Sequence, residues 1–369
     1  MNLFEKTFKN KTVLITGHTG FKGSWLSKWL VDLGAKVIGL SLNIPTNPSN
    51  FEVSHVNELI LDVRGDISNL NLVKGVVKEH KPDFIFHLAA QALVRTAYDD
   101  PITTLKTNSI GTANILEALK ESNHKAIAIM ITSDKAYDNV EWLWGYRETD
   151  ILGGKDPYSA SKAMAELVIR TYYESFFKAE NSKIRIGIAR AGNVIGGGDW
   201  AKDRIVSDCM RAWSNKETVD IRSPEATRPW QHVLEPLSGY LALACELFES
   251  NNLHGEPFNF GPSSHYNKSV RDLINTMGIF WENIKWNDIS QSHDHPYEAG
   301  LLKLNCDKAL AMLNWEPTLD FDTTIKMTVE WYKNFYQNKN VIMKDFTSDQ
   351  IREYMDLAQK KKIKWALRK

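Results

Sequence analysis

Thr12-Val13-Leu14-Ile15-Thr16-Gly17-His18-Thr19-Gly20-Phe21-Lys22-Gly23 begins as a β-branched run, passes through three glycines and leads into apolar residues at helical spacing. The run Thr12–Thr16 predicts a strand, because β-branched side chains suit a pleated surface. Phe21, Trp25, Leu26, Trp29, Leu30 and Leu33 recur along one helix face, and Gly34 follows where a left-handed C-terminal residue belongs. A glycine turn between strand and helix lets the backbone approach a pyrophosphate, whose charge suits the unpaired N–H groups of the helix N-terminus. The same glycines without that context would be structural only. Here they predict a dinucleotide site built from Gly17, Thr19, Gly20, Phe21, Lys22 and Gly23.

Working outward, short apolar runs at 36–40, 59–63, 83–87 and 126–131 are separated by longer amphipathic segments, the pattern of parallel strands joined by crossover helices. Pro101 opens a helix over 102–120, and 158–178 predicts a long helix with apolar residues on more than one side. A helix apolar on both sides suggests a subunit interface, so a homodimer joined through these two helices is expected. After a strand at 184–190 the alternation stops, and clusters rich in Gly, Pro, Arg and Trp follow between Gly192 and His232. The expected fold is α/β: a Rossmann-type doubly wound parallel sheet with a smaller mixed α/β C-terminal substrate-binding domain. Residues 1–190 form the dinucleotide-binding unit, 191–344 mainly bind substrate with the chain crossing back to the first unit, and 345–369 are a charged tail. That tail carries Lys360, Lys361 and Lys362 and predicts a solvated helix.

Composition narrows the function classes. With 45 basic and 45 acidic residues among 369, no global field draws the chain to nucleic acid or an anionic membrane. The N-terminal residues are polar and charged, without the apolar core of a signal peptide or anchor. Cys209, Cys245 and Cys306 lie far apart and form neither a metal-ligand pair nor a disulfide framework, so a cytoplasmic protein with reduced thiols and no metal is expected. The twelve tryptophans suit stacked rings or core packing, and core packing is the simpler reading for any one of them.

Tyr158 and Lys162 stand four residues apart, on one helix face. A nearby ammonium stabilises a phenolate, so the pair predicts a tyrosine of lowered pKa able to take a hydroxyl proton. The fifth strand ends in Thr132-Ser133-Asp134-Lys135, at the sheet edge where open α/β folds bind ligands. Alone, that tetrapeptide would be a surface turn with an Asp/Lys pair.

The G-x-x-G-x-x-G spacing and Tyr158-x-x-x-Lys162 resemble the extended short-chain dehydrogenase/reductase family. Asp66 with Ile67 after the third strand, and Leu88-Ala89-Ala90 after the fourth, match where that family places its adenine contact and its passage along the cofactor. One departure is the end of the second strand, Ser41-Leu42-Asn43, which lacks the acidic residue expected on the ribose of NAD. Ser41 would accommodate a hydroxyl or a phosphate, so NADP is not excluded.

The segments GHTGFKGSWL, FHLAAQALVR, EWLWGYRE, DPYSASKA, ARAGNVIGGGDW and ATRPWQHVLEPLSGYL resemble the CDP-glucose branch of the sugar 4,6-dehydratases within that family. The resemblance implies NAD as a retained cofactor, CDP-glucose as substrate and a product feeding deoxysugars of lipopolysaccharide O-antigen. It implies that Ser133 polarises the C4 hydroxyl and that Asp134 protonates the departing C6 hydroxyl. Lys135 stands where many dehydratases carry Glu. A lysine acts as a base only when neutral, so Lys135 either takes the C5 proton or assists electrostatically. Tyr158 and Lys162 would complete the catalytic set, and Asn193, Arg204 and Arg228 become candidates for the substrate pyrophosphate. A 4-epimerase, a dehydratase for another nucleotide, and a non-catalytic NAD(P)-binding sensor are the alternatives.

Overall fold

A computed structural model describes residues 1–263, 268–291 and 301–367. The chain opens with α1 (Leu3–Phe8) and β1 (Thr12–Thr16), followed by α2 (Phe21–Asp32) and β2 (Lys36–Ser41). Next come β3 (Leu61–Arg64), α3 (Leu70–His80), β4 (Phe84–His87) and α4 (Val94–Asp99). A long helical segment begins as α5 (Pro101–Leu105), passes through a π-helical stretch at Lys106–Ile110 and continues as α6 (Gly111–Glu121). Then follow β5 (Ala126–Ile131), α7 (Pro157–Tyr172) and β6 (Ile184–Ala191). Beyond them lie α8 (Ile205–Ser214), α9 (Leu234–Glu249), β7 (Pro257–Phe260), α10 (Phe321–Gln337) and α11 (Met343–Lys360).

The seven strands form one sheet in the order β7-β6-β5-β4-β1-β2-β3. Every pairing is parallel, with Thr16 opposite His87 across β1 and β4 and Thr16 opposite Leu40 across β1 and β2. The doubly wound fold expected from sequence is therefore present. Parallel sheets need both faces covered, and β1 shows how: Val13 and Ile15 enter one apolar cluster while Leu14 enters the other. The first cluster holds Trp25, Trp29 and α9, and the second holds Val73, Val77, Ile115 and Leu119 from α3 and α6. Gly34 ends α2 with φ +83°, the left-handed conformation its position suggested.

β7 shows the C-terminal half returning to the sheet, since Pro257–Phe260 pairs with β6. The charged tail differs from its expectation as a solvated helix. α11 buries Ile351, Tyr354 and Ala358, and Trp365 after it is also buried. Trp365 stacks on Phe4 at 4.6 Å and Tyr354 meets Trp29 edge-on at 5.8 Å. The charges of α11 hide a helical stripe of apolar residues that covers α1 and α2. Residues 368–369 of this tail lie outside the described residues. Nine of the twelve tryptophans, Trp25, Trp29 and Trp365 among them, are buried core residues, whereas Trp142 and Trp144 lie on the surface. No helix among the described residues is long and apolar enough to cross a membrane.

The tail is also tied down by a buried carboxylate. Glu235 at the start of α9 accepts the Thr318 N–H at 2.9 Å, the Leu319 N–H at 2.6 Å and the Tyr354 hydroxyl at 2.8 Å. Burial outweighs these donors and pushes Glu235 up to about 7. The folded chain thus keeps its proton to higher pH than the unfolded chain, whose glutamate titrates near 4.5. Stability contributed here is full below that value and is lost as pH rises to about 7, by on the order of 3 kcal/mol. Glu235→Gln should remove this dependence. The difference in urea-unfolding free energy between the two proteins should change across the window and level off above it. A difference flat from pH 4.5 to 7 would refute the assignment.

Candidate active site

Strand order reverses between β1 and β4, and a crevice opens there beyond the carboxyl ends of the strands. It widens into a cavity of about 1320 Å³. All nineteen residues singled out from sequence line it: Gly17, Thr19, Gly20, Phe21, Lys22, Gly23, Asp66, Ile67, Leu88, Ala89, Ala90, Ser133, Asp134, Lys135, Tyr158, Lys162, Asn193, Arg204 and Arg228. They come from eight separate stretches of chain, which only the assembled fold brings to one cavity.

The glycine turn has the shape a pyrophosphate requires. Gly17 has φ +78°, and a Cβ there would lie 2.7 Å from the Ala89 nitrogen. A Cβ on Gly23 would lie 2.1 Å from the Gly17 carbonyl oxygen, so the turn packs directly on the first turn of α2. Gly20 caps that helix without a side chain, leaving its first N–H groups facing the cavity wall. Thr16 Oγ1 accepts the Ala89 N–H at 3.2 Å and fixes the β4 end against the same turn.

At the end of β2 the structure differs from the sequence reading of Ser41. Ser41 does not offer a free hydroxyl, because its Oγ is 2.9 Å from His18 Nδ1 and lies in the acceptor position for the Thr19 N–H. His18 Nε2 in turn meets Asp62 Oδ1 at 2.9 Å. Its burial lowers the imidazole pKa. Asp66 follows β3, its carboxylate accepting the Ser68 N–H at 2.8 Å, and Asn69 caps α3.

The helix carrying Tyr158 starts where Asp156 accepts the Ser159 N–H at 2.9 Å and Pro157 fills the first position, which needs no donor. Tyr158 therefore sits in the first turn, with Lys162 one turn below and its Nζ 5.9 Å from the Tyr158 ring centre. The expectation of a lowered phenol pKa is not met by the chain's own groups. Burial pushes Tyr158 up to about 12, with the Ser133 hydroxyl pulling down and the Asp134 charge pushing up. Burial likewise lowers Lys162 to about 8. Desolvation outweighs a cation at this distance.

Ser133 Oγ donates to Asp134 Oδ1 at 2.9 Å and accepts the Lys135 N–H at 3.2 Å, which closes the turn after β5. Burial raises the Asp134 pKa, the Lys135 charge opposing it. A Cβ on Gly192 would meet Asp134 Oδ2 at 2.9 Å, so the carboxyl is pressed between two strand ends. The site thus presents a phenol, a hydroxyl, a buried carboxyl and two lysines along one wall.

Beyond them lie the arginines. Arg204 Nη1 donates to Asp199 Oδ2 at 2.6 Å, and that charge raises the arginine's pKa. Arg228 Nη1 donates to the Thr227 carbonyl at 2.8 Å. Lys22 is lowered to about 8 by burial and by the Arg204 charge. Sequence reading missed Asp203 and Arg222, which also line the cavity. Asp203 Oδ1 pairs with Arg95 at 2.8 Å and with Arg222 at 3.8 Å. No local pattern marks this trio, since Arg95 lies over a hundred positions before Asp203 and Arg222.

A Rossmann sheet whose switch-point cavity joins a glycine turn to a Tyr/Lys pair is the scaffold of a dinucleotide-dependent enzyme. The family described as GDP-mannose 4,6 dehydratase matches residues 14–328, and this chain belongs to it. Its relatives include a CDP-glucose 4,6-dehydratase of Salmonella typhimurium, 44% identical and covering 96% of this chain and 99% of the relative. A UDP-glucose 4-epimerase of Mycoplasma pneumoniae is 26% identical over 88% and 97% of the two chains. Among solved structures, dTDP-glucose 4,6-dehydratase of Bacillus anthracis in complex with NAD superposes with a TM-score of 0.71. It is 22% identical, covers 89% of this chain and 97% of its own, and shares the fold.

Gly23→Ala tests the turn, because its methyl must displace the Gly17 carbonyl. The expected result is a folded protein whose NAD affinity falls by about tenfold or more in calorimetric titration. Unchanged affinity would mean that the dinucleotide does not rest on this turn.

Proposed function

We propose that this chain converts CDP-glucose to CDP-4-keto-6-deoxyglucose and water, with NAD bound and unchanged over the cycle. The observation that carries this reading is a buried acid, Asp134, with Lys135 beside it, in one cavity with Tyr158 and Lys162. The relative at 44% identity bears the matching name. A plain 4-epimerase expels no C6 hydroxyl and has no use for a buried acid at that place.

NAD, when bound, would supply the hydride acceptor for C4, the hydride donor for C6 and the positive charge of its oxidised ring. The glycine turn and α2 hold its pyrophosphate, and Lys162 its nicotinamide ribose. Tyr158 takes the O4 proton, with Ser133 polarising the same hydroxyl. The resulting 4-keto group acidifies the C5 proton, which passes toward Lys135. Asp134, whose hold on its proton is strengthened by burial, donates to the C6 hydroxyl as it leaves. Asn193, Arg204 and Arg228 face the substrate pyrophosphate, where a planar charged fork suits phosphate oxygens. Arg204 does so from its pairing with Asp199.

The unit of residues 1–190 supplies the dinucleotide wall, and 191–344 supplies most of the substrate wall. A cytoplasmic location and a role in making deoxysugars for surface polysaccharide follow from the same reading. So does a homodimer. Ile102, Ile110, Leu167 and Phe176 are at least half exposed along α5 to α7 and their π-helical extensions, an apolar face suited to the same helices of a second copy.

Purified protein given CDP-glucose should form the 4-keto-6-deoxy product without net reduced cofactor, and in deuterated water the product should carry deuterium at C5. Steady accumulation of reduced cofactor, or only protium at C5, would overturn the mechanism. Tyr158→Phe should lose about 10²–10⁴-fold in turnover. Light scattering should give twice the chain mass; a monomer at micromolar concentration would exclude the proposed dimer.

A further inference from the structure

Behind the catalytic turn lies a polar network that the reaction itself does not use. Glu166 on α7 and Arg190 on β6 form an ion pair whose side chains are 2% and 3% exposed. It is bidentate, with Arg190 Nε donating to Glu166 Oε1 at 2.8 Å and Nη2 to Oε2 at 3.0 Å. Each partner reaches further. Glu166 Oε1 also accepts the Thr132 hydroxyl at 2.5 Å, and Arg190 Nη1 donates to the Tyr137 hydroxyl at 2.7 Å. The Tyr137 hydroxyl donates in turn to Asn259 Oδ1 on β7 at 2.8 Å. The Arg190 guanidinium lies 4.8 Å from the Tyr137 ring centre, so the ring is held on its face as well as at its hydroxyl.

Thr132 and Tyr137 flank Ser133, Asp134 and Lys135. We infer that the Glu166–Arg190 pair is a clamp that grips the catalytic turn at both ends and sets where the Asp134 and Lys135 side chains stand. Two charges this dry lose much hydration, and a buried pair is weak evidence for stability; fixing one geometry is what it does that an apolar pair cannot. The turn is otherwise held by its own bonds, among them Lys135 N–H to Ser133 Oγ at 3.2 Å, Tyr137 N–H to Asp134 O at 3.2 Å and Asp138 N–H to Ile151 O at 2.9 Å. Thr132 N–H donates to Ala189 O at 2.9 Å, Ala136 N–H to Ser133 O at 3.1 Å, and Gly153 N–H to Ala136 O at 2.9 Å. These fix the backbone path and leave its tilt about the strand end to the two side-chain grips. Tyr158 and Lys162 sit on α7 itself, so the clamp fixes Asp134 and Lys135 relative to the helix that carries the oxidation machinery. Thr132, Tyr137, Glu166 and Arg190 are thus positioning residues.

This inference rests on the dehydratase reading for its kinetic consequence but not for its geometry. Tyr137→Phe and Thr132→Val each remove one grip and leave the ion pair, so both variants should fold. In single turnover with CDP-glucose, elimination should slow by about tenfold or more while C4 oxidation changes much less, because a small misplacement of an acid or base is costly. Reduced cofactor and a 4-keto intermediate should then accumulate transiently. Independently of any substrate, amide hydrogen exchange over 132–138 should quicken in both variants, with exchange over 17–23 unchanged. Equal slowing of oxidation and elimination, or unchanged exchange over 132–138, would overturn the clamp. Wild-type protein inert toward CDP-glucose would instead count against the proposed function, leaving the exchange measurement to decide the clamp.

Discussion

The reversal of strand order between β1 and β4 is the constraint on which the rest of the molecule depends. Crossover connections leave that edge in opposite directions, so no helix can cover the crevice at the carboxyl ends of the two strands. The groups that line the crevice are then drawn mostly from strand ends and the loops after them, with Tyr158 and Lys162 added from α7. Gly17 follows β1, Leu88 to Ala90 follow β4, Ser133 to Lys135 follow β5, and Gly192 and Asn193 follow β6. The close fit of Gly17 against Ala89, where even a methyl group has no room, registers these ends against one another.

Desolvation sets the chemistry of the resulting site. The same burial raises Asp134 and Tyr158 and lowers Lys162, so the wall is biased toward a protonated carboxyl, a neutral phenol and a lysine close to losing its charge. Such a wall holds protons ready for donation and needs an added positive charge to make the phenol a base. That division suits a site in which the cofactor brings the missing charge and the chain supplies position.

The second half of the chain works as much on the scaffold as on the site. β7 extends the sheet and carries Asn259, one end of the network behind the catalytic turn. α11 and Trp365 cover α1 and α2 from outside, and Glu235 ties that cover to α9 through Tyr354. The buried Lys28, bonded to Asp32 at 2.5 Å and to the Ser348 hydroxyl, joins the glycine-turn helix to the same cover. The helix that faces the dinucleotide is therefore packed on its far side by the last residues of the chain.

Local chemistry was enough to reveal the strand Thr12–Thr16, the glycine turn, the helix that follows and the Tyr158/Lys162 pair. Each is encoded within a few neighbouring residues by β-branching, helical periodicity or a cap. The strand at 59–63 shifted to Leu61–Arg64 because pairing with β2, rather than propensity, sets its start. The charge of residues 345–369 concealed a buried stripe, since which face of a polar helix is covered depends on what packs there. Ser41 was legible as a small hydroxyl but not as the partner of His18, which approaches it from a different turn. The Tyr158 pKa ran opposite to its neighbour's charge because burial is a property of the assembled cavity. Glu166, Arg190, Tyr137 and Asn259 left no motif at all. Sequence determined which groups stand at strand ends, because strand and turn are local; tertiary structure alone decided which of them meet and how dry they are, because both depend on chain segments that lie on different elements, well apart in sequence.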